Sequence, residues 1–94
     1  MLNSGQSCIA AKRFIVVASV AEAFTRRFGE LMSRLTVGDP RDEKTQVGAI
    51  VNADGLRELE EQLADSVAKG ARIVAGGKRI KRRGYFLEPT VVTD

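Results

Sequence analysis

Phe14 to Leu35, FIVVASVAEAFTRRFGELMSRL, is the stretch whose reading decides the fold class. Phe14 opens a continuous apolar run in which Ile15, Val16 and Val17 are β-branched, so Arg13–Val17 predicts a strand buried on both faces. The period then changes. Val20, Phe24, Phe28, Leu31, Met32 and Leu35 recur at helical spacing, and Ser19 and Glu22 are spaced as a capping box. A helix from about Val20 to Leu35 follows, with Arg26, Arg27, Glu30 and Arg34 on its solvated side.

Downstream the same two patterns return in the opposite order. Val37-Gly38-Asp39-Pro40 ends the first helix, because glycine suits a helix C-terminus and proline cannot continue one. A polar loop over Arg41–Gln46 comes next. Asn52 starts a second helical pattern, with Leu56, Leu59, Leu63 and Val67 on one face and Gly70 as the stop. Glu58, Glu60, Glu61 and Asp65 lie around its other faces and read as a charged amphipathic surface rather than an acid/base pair. Ala71–Ala75 predicts a second strand. After a Gly76-Gly77 loop, Gly84–Leu87 and Thr90–Val92 are short extended pieces separated by Glu88-Pro89. Strands alternating with helices predict an α/β chain, with a parallel or mixed sheet and flanking helices.

Upstream lies NSGQSC, Asn3 to Cys8, which holds the only cysteine. Gly5 permits a tight or positive-φ turn, and Cys8 opens the apolar run Ile9-Ala10-Ala11, which could begin a short helix. A thiol at a helix N-terminus, with Lys12 and Arg13 about one turn on, has the surroundings of a nucleophile. The plain alternative is that a lone cysteine serves as a small buried hydrophobe.

Composition narrows the chemistry. With no histidine in 94 residues, Cys–His and Ser–His–Asp catalysis within the chain is excluded, and one cysteine cannot build a thiolate zinc site. No metal is expected. Apolar residues make up 44% and charged residues 29%, with no apolar run near the ~18 residues of a membrane span. The expectation is therefore no membrane association, no secretory leader and a cytoplasmic location. The net charge is +3, and much of the basic excess sits in Lys78, Arg79, Lys81, Arg82 and Arg83. No aromatic residue is interleaved with these cations, so no nucleic-acid partner is expected. No G-x-G-x-x-G opens a helix, so a dinucleotide fingerprint is missing.

The run N-x-G-Q-x-C followed by Ile-Ala-Ala-Lys-Arg-Phe-Ile-Val resembles the catalytic-cysteine segment of the NAD(P)-dependent aldehyde dehydrogenases, in particular their succinate-semialdehyde dehydrogenase branch. The similarity continues through Val37–Pro40, Gly48, Lys69-Gly70-Ala71, Gly76-Gly77 and Gly84–Thr90, and so spans essentially the whole chain.

This resemblance implies that residues 1–94 are an internal piece of the catalytic domain, without the Rossmann-type cofactor domain. It gives Cys8 the role of catalytic nucleophile, which forms a thiohemiacetal and then a thioester. NAD or NADP would be the cofactor, bound mainly by the absent domain, and an aldehyde the substrate. Homo-oligomers are expected. The oxyanion asparagine and the base glutamate lie upstream of the motif in the family, so Asn3 is not the former, and Glu88 belongs to a structural turn. No cofactor-binding residue is assigned within the chain. Leu2 stands where some members of the branch carry an arginine for a substrate carboxylate, and Ala10 where others carry a second cysteine. The competing expectation is a catalytically inactive α/β module with a structural or partner-binding role.

Overall fold

The computed structural model describes all 94 residues. Two helices and two strands carry the fold: α1 (Ala18–Ser33), α2 (Ala53–Ala68), β1 (Arg72–Ala75) and β2 (Val91–Thr93), preceded by a 3-10 turn at Leu2–Gly5. The α/β class holds, and the pairing inside it is antiparallel. Arg72 faces Thr93, Ile73 faces Val92 and Ala75 faces Val91, with an irregularity between Ile73 and Ala75. The connection explains the direction. A parallel pair needs a long crossover, usually a helix, whereas residues 76–90 turn back on themselves through an antiparallel Arg79–Leu87 bridge.

The expected strand at Arg13–Val17 is not one. The segment has no sheet partner in the chain, and Ile15 is 100% exposed. A strand buried on both faces needs neighbours on its edges and layers above and below, and these residues supply neither. Phe14 instead leans on α1, with ring centroids 4.8 Å from Phe28 and 6.2 Å from Phe24.

Helix α1 starts slightly earlier than its stripe suggests. Val17 takes the N-cap position in an extended conformation without a side-chain hydrogen bond, so the Ser19–Glu22 spacing is not used as a capping box. Its buried Gly29 lets the helix lie close against Val74 of β1. Helix α2 matches its expected bounds. The Asn52 side chain accepts a hydrogen bond from the Gly55 amide at 2.7 Å, Asp54 sits in the favourable first turn, and Leu56 is the most fully buried side chain, at 1% exposure. Asn52→Ala is expected to lower stability by about 1 kcal/mol, read as a lower urea midpoint with unchanged slope.

Two ion pairs tie the loops. Arg41 donates through its side chain and its backbone amide to Asp39, and these bonds hold the Asp39 carboxyl well below the usual carboxylate range. Arg79 makes a two-pronged contact with Glu60, at 3.0 and 2.6 Å, which lowers the Glu60 carboxyl and pins the 79–87 hairpin to α2. A carboxylate depressed in the folded state adds stability above its unfolded value, about 3.9 for Asp and 4.3 for Glu, and loses it as pH falls through the folded value. The urea midpoint is therefore expected to stay level from pH 7 to about 5 and to decline below about 4. In Asp39→Asn/Glu60→Gln that decline flattens. Both pairs stand in solvent, so the acid limb is shallow and weakens further in salt.

The core is small. Val47, Leu56, Ala75, Phe86 and Val91 are its buried apolar residues. The accessible surface is 7267 Å², against about 5,300 Å² for a compact monomer of this mass. Roughly 2,000 Å² of the surface is thus beyond what a self-sufficient domain of this size exposes, and large apolar side chains such as Ile9, Ile15 and Val51 contribute to it.

Candidate functional site

Asn3, Ser4 and Gly5 take positive φ in succession, at 48°, 54° and 77°. Asparagine and glycine visit this region readily, whereas at Ser4 it costs on the order of 1–2 kcal/mol. A conformation of that kind persists only where surrounding bonds over-determine it. Three do so here. The Gly48 amide donates to Ser4 Oγ at 2.9 Å. Gln6 Nε2 donates to the Ala49 carbonyl, and the Val51 amide donates to Gln6 Oε1, both at 3.0 Å. The segment they grip is held on its other side as well, because the Ile50 amide donates to the Tyr85 carbonyl at 2.7 Å.

Cys8 leaves this turn exposed and unpaired. No helix begins at it. Ser7 to Ala10 form a single turn closed by the Ala10 amide donating to the Ser7 carbonyl, and the chain then runs out into the extended arm. The expected helix N-terminus is therefore missing, because Ile9 is 77% exposed and has nothing to pack against. Lys12 is engaged by backbone carbonyls. Its Nζ donates to the Ser7 and Ala10 carbonyls, both at 2.8 Å, and so closes the turn from below. The Cys8 backbone amide has no hydrogen-bond partner within the chain.

A concavity of about 1020 Å³ is an open trough between the arm and α1, with Phe14, Phe24, Phe28, Met32 and Val91 among its lining residues. Cys8 is not on its wall.

Other charged groups resolve into surface contacts. Glu58 accepts from Gln62, and Glu61 and Asp54 face Arg57. Arg82 lies 4.7 Å from the Phe86 ring centre, and Arg79 is committed to Glu60. No group of three or more His, Cys, Asp or Glu side chains could hold a metal ion, and no helix is long and apolar enough to cross a membrane.

Gln6 and Ser4 are the residues that sequence reasoning undervalued. The available signal was chemical type: a carboxamide can donate and accept at once, as a strand backbone does. Their partners lie 43 to 45 positions away and cannot be read from spacing.

Comparison with known proteins gives a consistent result. The family model described as "Aldehyde dehydrogenase family" matches residues 1–94. Succinate-semialdehyde dehydrogenase [NADP(+)] 1 of Mycobacterium tuberculosis is 50% identical over 92 residues, covering 98% of this chain and 20% of that protein. The NAD+ complex of aldehyde dehydrogenase from Bacillus cereus superposes with a TM-score of 0.94 at 29% identity, over 100% of this chain and 19% of that one. Betaine aldehyde dehydrogenase from Staphylococcus aureus, solved with NAD+ and a BME-modified cysteine, gives 0.91 at 30% identity, over 96% and 19%. The chain spans about a fifth of the length of the curated relatives it matches.

Proposed function

The chain belongs to the aldehyde dehydrogenase family, and on that premise we propose that it carries the nucleophile of an NAD(P)-dependent aldehyde oxidation, with Cys8 as the attacking thiol. The observation that carries this reading is the exposed lone cysteine delivered by a strained turn, itself bonded to the 48–51 segment. A semialdehyde such as succinate semialdehyde is the proposed substrate class, which the names of the 50% identical relatives support. A cytoplasmic setting, where a lone thiol stays reduced, belongs to the same proposal.

The chemistry starts at sulfur. The Cys8 thiolate attacks the aldehyde carbon, a C–S bond forms, and the carbonyl π pair moves to oxygen to give a thiohemiacetal oxyanion. The unpartnered Cys8 amide is a donor available to that charge. The Gly76-Gly77 loop offers a nucleotide pyrophosphate no cradle. Gly76-Gly77 leads into a basic hairpin rather than a helix, and the space a pyrophosphate would need against Gly76 is filled by the Pro89 backbone. A nicotinamide nucleotide held outside positions 1–94 would accept the hydride, and the second oxyanion donor and the base would be residues that also lie outside these positions. By the same reasoning the isolated chain is inactive.

A chimera tests the reading: these 94 residues replace the matching segment of the M. tuberculosis relative. NADP reduction with succinate semialdehyde within about tenfold of the parent would support it. A folded, NADP-binding chimera without turnover would sink it.

The surface excess makes a separate prediction. The isolated chain is expected to self-associate, with a sedimentation mass that rises with concentration and strong binding of an apolar dye. A monomer at every concentration would contradict this.

A further inference from the structure

The residues 48–51 form a short rail with two gripped edges. On one edge the Ile50 amide donates to the Tyr85 carbonyl at 2.7 Å. On the other edge no strand is present, and the partners are side chains. Gln6 occupies the place a strand residue would take, because its carboxamide gives to the Ala49 carbonyl and receives from the Val51 amide, each at 3.0 Å. Ser4 Oγ receives from the Gly48 amide and so ties the same turn to the start of the segment. Both side chains come from the turn that ends at Cys8, two residues after Gln6.

We propose that Gln6 is the positioning residue for the Cys8 thiol, acting by imitating a strand edge against Ala49–Val51 and so fixing the left-handed run that presents Cys8. The inference rests on the reading of Cys8 as nucleophile. It deepens that reading by naming what holds the nucleophile in one orientation. Neither half of the carboxamide suffices alone. The Ala49 carbonyl needs a donor and the Val51 amide needs an acceptor, and only an amide side chain of this length offers both at once. Without them the turn keeps only the Ser4–Gly48 bond and its own closing bond, the Gln6 amide donating to the Asn3 carbonyl, and the run relaxes to ordinary backbone.

The test uses the 94-residue chain and three variants, with amide hydrogen exchange, backbone φ at Asn3 and Ser4 by NMR, and the rate of Cys8 alkylation by iodoacetamide. Gln6→Ala is expected to speed exchange at Val51 at least tenfold, while Ile50, held by Tyr85, changes less than threefold. Positive φ at Ser4 is lost with it. Ser4→Ala is expected to speed exchange at Gly48 in the same way. Gln6→Glu separates positioning from bulk. Its carboxylate keeps the acceptor for Val51 but opposes the Ala49 carbonyl, so positive φ is lost near pH 7 and returns when the group is protonated below pH ~4 and can donate again. A residue that merely filled space would show no such pH rescue.

The alkylation rate links this to the thiol. The folded chain is expected to differ at least threefold from a free peptide of residues 3–10, and Gln6→Ala is expected to approach the peptide. If the chain and the peptide react alike, the nucleophile reading is weakened while the exchange data still judge Gln6. If the chain differs from the peptide but Gln6→Ala matches the chain, with Val51 exchange unchanged, the positioning role is refuted.

Discussion

Cys8→Ala in the active chimera is expected to lower kcat by at least about 10³-fold, on the order of 4 kcal/mol of transition-state stabilisation, with the stability of the isolated chain unchanged within about 0.5 kcal/mol. The separation of the two effects is the point. A buried structural cysteine removed in this way leaves a cavity and costs stability, but Cys8 is exposed, unpaired and off the wall of the trough. Its Sγ can therefore matter to the chemistry without mattering to the fold. Steady-state kinetics of NADP reduction, paired with urea unfolding of the 94-residue variant, reads both sides. KM for NADP should stay within about twofold, because the thiol adds nothing to nucleotide binding in this reading. Activity within tenfold of the parent would remove Cys8 from the mechanism, and a stability loss above about 1 kcal/mol would return it to a packing role.

Gly76→Ala is expected to destabilise the fold by about 3 kcal/mol or more, the sum of placing a side chain at positive φ and of overpacking. Gly76 sits at φ 67°, at the exit of β1, and a Cβ there would overlap the Pro89 carbonyl oxygen and stand 2.9 Å from the Pro89 carbonyl carbon and 3.0 Å from Thr90 Oγ1. Those atoms cannot move away cheaply. Thr90 Oγ1 accepts from the Gly77 amide at 3.0 Å, and the next residue, Val91, is the buried partner of Ala75. Relieving the overlap therefore shifts the start of β2 and weakens the only strand pair. Gly70 supplies the control. It also has positive φ, 105°, but nothing lies within 4 Å of its Cβ position, so Gly70→Ala should cost only the backbone part, about 1–2 kcal/mol. The difference between the two urea midpoints measures the steric part. Equal losses would mean that the Pro89 contact carries no weight. With only five buried apolar residues in the core, a loss of this size is expected to leave Gly76→Ala largely unfolded.

Much of the local structure was legible because local physics decides it. The leucine stripe from Leu56 to Val67, the Asn52 cap and the Gly70 stop fixed α2 almost to the residue, since each acts within one or two turns of its own position. The helical stripe of α1 was equally clear, although its start belonged to Val17 rather than to the Ser19 capping box. The lone cysteine behind Gly5-Gln6 singled out the proposed nucleophile from its letters. Helix formation at Cys8 was misread because three apolar letters do not make a helix without a surface to bury them, and Ile9 has none.

The sequence by itself thus determined the helices, the turn that ends at Cys8, the missing histidine and the absent nucleotide fingerprint, all of which depend on residue type and short spacing. Only the tertiary structure decided that β1 and β2 run antiparallel, that Arg13–Val17 has no sheet partner, and that Gln6 and Ser4 grip a rail more than 40 residues away. The physical reason is one of range. A strand is completed by hydrogen-bond partners that other parts of the chain bring to it, so its pairing, its burial and the side chains that imitate it are set by where the backbone returns in space.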